Sequence, residues 1–112
     1  MVDSLSNLLN STTLHCPVEA LESLRNNYNE LFYYKNNNIS IPCDFYEIIN
    51  NQTITYINMI NLNKSYTNNS TINYKINILR FLFKGFSTES NIDKRVDYIY
   101  AIFSHLLTII DT

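Results

Sequence analysis

The stretch "NIDKRVDYIYAIFSHLLTII" limits the possible folds more than any other. Ile92, Val96, Ile99, Phe103, Leu106 and Ile110 recur at alternating spacings of four and three, the repeat of one helix face. Ile102, Leu107 and Ile109 widen that face, so the helix is expected to lie centrally in a core. Ser90 and Asp93 have capping-box spacing, with Asp in place of Glu. The pattern predicts a helix over about 91–111. A face this apolar has to be covered by other elements.

Three further segments can cover it. Pro17 at a first helical position and Glu19 in the first turn open one, predicted over about 17–34. Leu21, Leu24, Tyr28 and Leu31 form its stripe, and the Asn run of "YYKNNN" breaks it. Another, over about 71–84, carries Ile72, Ile76, Leu79, Phe83 and Phe86 on one stripe. The only glycine, Gly85, is read as its left-handed stop, folding Phe86 back on Phe81. Between these two, Pro42 biases "ISIP" to extended backbone. A helix then begins at Asp44 or Asn50 and ends at Leu62, taken as about 50–62. A strand at "TITYI" competes, because Thr, Ile and Tyr favour sheets. The expectation is an all-α four-helix bundle in one domain over residues 1–112, with 1–14 an N-terminal extension and a short extended segment before the second helix.

Composition removes several functions. Hydrophobic residues make up 46% of the chain, enough for a packed core. A net charge of -2 without a clustered basic face argues against nucleic acid. No apolar run approaches the roughly 18 residues that would cross a bilayer, so no membrane insertion is expected. The start "MVDSLSNLLN" lacks a basic n-region and an apolar h-region, which leaves a cytoplasmic protein or a mature secreted domain. His15 and His105 have no carboxylate or nucleophile at a motif spacing, and one glycine cannot build a phosphate loop. Neither an enzyme nor a cofactor is expected. Two Cys and two His match the count of a zinc site, but His15 and Cys16 are adjacent and Cys43 has no near partner, so no metal site is expected either.

Cys16 and Cys43 leave two arrangements open. A helix over 17–34 is about 27 Å long, and the nine steps from Tyr34 to Cys43 reach about 30 Å when extended. The chain can therefore return alongside its first helix and bond Cys43 to Cys16, with the second helix parallel to the first. In an up-down hairpin the sulfurs stand at opposite ends, as two separate thiols. Glycosylation acceptors lean toward secretion: Asn10, Asn38, Asn51, Asn63, Asn68 and Asn69 each open an Asn-x-Ser/Thr triplet, where chance gives about three. Paired charges are the last feature, Glu19 with Glu22 on the first helix and Arg80 with Lys84 on the third.

These pieces resemble the short-chain helical cytokines, and the interleukin-4/interleukin-13 branch in particular. "HCPVEALE" looks like that branch's Cys-led first helix, with Glu22 at the offset of its receptor-contacting acidic residue. "DFYEIINNQT" resembles its strand-to-helix entry with a sequon, "ILRFLFKGF" its basic third helix, and "VDYIYAIFSHLLTII" the pattern of its last. The resemblance implies an up-up-down-down bundle and a secreted, glycosylated ligand that modulates immune signalling, such as a virus-encoded mimic. It further implies a Cys16–Cys43 disulfide, cytokine receptor ectodomains as partners, and Glu19, Glu22, Arg80 and Lys84 as receptor contacts. The resemblance also implies sugar at Asn10, Asn38, Asn51, Asn63 and Asn69 and a ligand that is a monomer or homodimer. The chain departs from the family in offering one bridge, and its Phe86–Asn91 connection spans only about 20 Å extended. The alternative is a Bcl-2-like helical protein in a host cytoplasm, which inhibits apoptosis or innate signalling by binding partner proteins.

Overall fold

The computed structural model describes residues 17–62 and 70–110, and the side chains of 21–61 and 73–109. Among the described residues there are four helices: α1 (Pro17–Asn36), α2 (Cys43–Leu62), α3 (Ser70–Thr88) and α4 (Ile92–Ile110). No strand occurs among the described residues, so "TITYI" is helical and residues 39–42 are irregular. Thr53 and Thr55 adapt to the helix by donating their hydroxyls to the carbonyls of Ile49 (2.7 Å) and Asn51 (3.0 Å).

Three element boundaries differ from expectation. Helix α2 starts at Cys43 rather than near Asn50, because Asp44 occupies its first turn and the Pro42 carbonyl accepts the Tyr46 N–H at 2.9 Å. Helix α3 continues past Gly85, which does not have a positive φ. What the glycine supplies there is closeness: a Cβ at position 85 would lie 2.5 Å from the Tyr98 ring. Phe86 is buried while Phe81 points away from the core, so the two do not fold together. Asn91, not Ser90, caps α4, its Oδ1 accepting the Lys94 N–H at 3.1 Å.

Contacts between helices fix the direction of each. Tyr34 meets Phe45 edge-on at 5.5 Å, and Asn27 Nδ2 donates to Gln52 Oε1 at 2.7 Å. The pairing numbers fall along one helix as they rise along the other, so α1 and α2 are antiparallel. Lys35 pairs with Asp97 at 2.6 Å and Tyr28 stacks on Tyr100 at 5.2 Å, so α1 and α4 are antiparallel too. Arg95 reaches Asn50 while Phe103 meets Tyr56, so α2 and α4 are parallel. Gly85 touches Tyr98, and Phe86 accepts from Arg95, which makes α3 and α4 antiparallel. The bundle is therefore up-down-up-down.

This corrects the expected up-up-down-down order with parallel first helices. Its cause is the α1–α2 connection. Extended, the six residues 37–42 reach about 20 Å, whereas α1, with 20 residues, is about 30 Å long. The chain turns straight back instead of running the length of α1.

The core follows the stripes read from the sequence. Leu24 and Leu31 of α1, Phe45, Ile49, Tyr56 and Ile60 of α2, and Ile76, Leu79, Phe83 and Phe86 of α3 are buried. They close on Val96, Ile99, Ile102, Phe103, Leu106 and Ile109 of α4. Helix α4 packs against all three others, which explains its wide apolar face. Ile92 departs from the pattern and is exposed. Burial pushes the Tyr56 hydroxyl's pKa up, against a smaller opposing effect of the hydrogen bond from Gln52.

Candidate functional site

The surface that packing leaves unexplained is the outer face of α3. Tyr74, Ile78, Phe81 and Gly85 follow one another at spacings of four, three and four, which places them on one stripe. Phe81 is 77% exposed and Tyr74 66%, the two most exposed large hydrophobic side chains described. Ile78 between them is half-buried. The stripe lies beside the α3/α4 seam, where Leu82, Tyr98 and Ala101 line a cavity of about 450 Å³ whose polar edge is Glu89, Lys94 and Asp97. The close approach at Gly85 seats Tyr98 in this seam.

Charge distinguishes this helix as well. Helix α3 carries Lys75, Arg80 and Lys84 and no acidic residue, whereas α2 carries Asp44 and Glu47 and no basic one. Lys84 is exposed one turn from Phe81, and Arg80 is half-buried and engaged with a neighbour. An aromatic stripe flanked by cations offers apolar area together with attraction for carboxylates.

The residues singled out from the sequence are dispersed. Arg80 and Lys84 border the stripe, while Glu22 is exposed on α1. Glu19 lies in α1, with its side chain outside the described ones. Cys43 is an exposed free thiol at the first residue of α2, and Cys16 lies outside the described residues. Pro17 and Cys43 begin antiparallel helices, so they stand at opposite ends of α1. Of the sugar acceptors, Asn38 and Ser40 are exposed in the α1–α2 connection. Asn51 is exposed on α2, but the hydroxyl of its triplet partner Thr53 is buried and bonded to Ile49. Asn10, Asn63, Asn68 and Asn69 lie outside the described residues.

Sequence reasoning missed Tyr74 and Phe81. The signal was available: Phe81 sits two positions from both Leu79 and Phe83, so helical spacing sets it off the core stripe. Among the described residues no group of His, Cys, Asp and Glu could hold a metal ion, and no helix is long and apolar enough to cross a membrane. Comparison with known proteins finds no matching family model, no matching curated protein and no matching solved structure.

Proposed function

We propose that this chain is a non-catalytic binding protein that docks the outer face of α3 onto an apolar, acidic surface of a partner protein. The observation that carries the reading is Phe81, 77% exposed beside Tyr74 on the outer stripe of a helix whose Ile76, Leu79, Phe83 and Phe86 pack inward. Covering a phenylalanine this exposed contributes about 2 kcal/mol, and the cation-only charge of α3 selects an acidic partner. The up-down-up-down order counts against the short-chain cytokine arrangement, which requires parallel first helices.

Placing a photo-crosslinking side chain at position 81, and at Ile54 on α2 as a control, tests this in living cells. One protein with an acidic face should crosslink from position 81 and not from 54, and unlabelled Phe81→Ala protein should compete about 30-fold less well than wild type. Both variants should melt as wild type does, since an exposed ring contributes little to the core. Equal crosslinking from the two faces would refute the assignment.

A secreted receptor ligand is the second reading. It is favoured by Asn38 and Ser40, which form an acceptor triplet exposed in a surface turn. Expression through a secretory pathway should add a glycosidase-sensitive mass that Asn38→Gln reduces. An unmodified secreted protein would remove the basis for this reading.

A further inference from the structure

A second concave site lies at the end of the bundle where α1 turns into α2, away from α3. It encloses about 420 Å³ between the α1–α2 connection and the first turns of α4, within the size range of specific binding pockets. Tyr34, Tyr46 and Val96 form its apolar wall. Ile39 (42% exposed) and Ile92 (59%) stand at its rim, and no core packing accounts for either.

Both sides of the cavity are held in place. Ile39 N–H donates to the Tyr34 carbonyl at 2.9 Å and Asn38 N–H to Lys35 at 3.4 Å, with Asn38 at φ 55°. That is a Schellman closure, which locks the connection against the end of α1. Opposite, the Asn91 cap fixes the first turn of α4. The cavity is therefore built before anything enters it, which lowers the ordering cost of binding.

The polar lining favours a cation. Asp93 makes no hydrogen bond or ion pair. The Asp97 carboxylate is shared with Lys35 at 2.6 Å and stays largely exposed, able to accept more. Lys35 is the only cation in the lining, and its ammonium is already engaged there. The carbonyl end of α1 and the N–H ends of α2 and α4 lie at this end of the bundle, and each of the two N–H ends carries an acidic residue in its first turn, Asp44 and Asp93. What remains is negative charge above an aromatic and aliphatic wall.

We propose that this cavity seats an arginine side chain of a partner polypeptide, with aliphatic neighbours of that arginine on Ile39 and Ile92. A guanidinium can fork onto a carboxylate and lie flat on a tyrosine ring at once. The apolar rim outside the cavity suits a peptide better than a free small cation, which has nothing to place there. This site involves no α3 residue, shares only Asp97 with the seam beside the docking face, and is tested through Asp93 and Ile39 independently of that face.

The test is titration of the ¹⁵N-labelled protein with acetyl-Leu-Arg-Leu-amide, its Gln and Glu counterparts, and spermidine. The arginine peptide should shift the amides of residues 38–41 and 92–97 saturably, and Asp93→Asn should weaken it by about fivefold or more. Ile39→Ser should weaken the peptide and leave Asp93 available. Equal shifts with the Gln peptide, or none at these amides, would overturn the proposal. Spermidine binding as tightly as the peptide would overturn it in favour of a small-polycation site.

Discussion

Arg95 joins three helices through a single side chain. Its Nε donates to the Tyr46 hydroxyl (3.0 Å), Nη1 to the carbonyls of Phe86 (2.8 Å) and Glu89 (2.7 Å), and Nη2 to Asn50 Oδ1 (2.8 Å). The guanidinium also lies 4.0 Å from the centre of the Phe86 ring. None of these partners is a carboxylate. The charge is balanced by carbonyls at the C-terminal end of α3, the negative pole of that helix. Arg95→Met removes all four bonds, leaving the Phe86 carbonyl only the Glu89 N–H (3.2 Å) and Asn50 Oδ1 only the long contact from the Tyr46 hydroxyl (3.5 Å), and should lower the unfolding free energy by about 2–4 kcal/mol. Arg95→Lys should recover only part of the loss, because an ammonium cannot serve four separated acceptors. Urea unfolding monitored by circular dichroism reads both, and a loss below about 0.5 kcal/mol for Arg95→Met would show that the clamp is dispensable.

The α1–α2 connection determines how those two elements meet. Its geometry depends on Asn38 in the left-handed region, which asparagine tolerates and β-branched residues do not. Asn38→Val should therefore cost about 1–2 kcal/mol, while Asn38→Gly should stay near wild type, as thermal melts of the pair would show. A Val variant as stable as the Gly one would mean that the turn has another conformation. This element also shows where the sequence was legible. The stripes at Leu24–Leu31, Ile76–Phe86 and Val96–Ile109 repeat often enough to identify helix and core face together. A turn has no such repetition, and "NNNISI" contains three asparagines, each suited to a left-handed cap. Asn38 is selected by the local closing bonds, its own N–H to the Lys35 carbonyl and the Ile39 N–H to that of Tyr34. With α1 ended early and α2 begun late, the connection reads as long enough to return along α1, and the parallel order follows from that. Arg80 and Lys84 were legible as a pair by their spacing of four, but the aromatic face they border depends on what α3 leaves uncovered.

At the scale of the whole molecule, direction decides what two cysteines can do. Helix α1 with its 20 residues is about 30 Å long. Its far end from Pro17 is where α2 begins, because Tyr34 packs on Phe45. Cys16 is joined to Pro17 by one peptide bond, and a disulfide tolerates a Cα separation of at most about 7 Å. An intrachain Cys16–Cys43 bond is therefore incompatible with the antiparallel pair unless one end of the bundle opens. The exposed Cys43 thiol remains able to react with other molecules. Oxidised, monomeric protein should consequently have the same intact mass before and after reduction, and native alkylation should label Cys43 rapidly. Any cross-link formed by oxidation should join two chains and grow with protein concentration. A monomer lighter by two hydrogens would instead require parallel first helices, and with them the arrangement of a disulfide-tied receptor ligand. That one mass separates the two architectures because the fold converts a choice of helix direction into a distance no side chain can bridge.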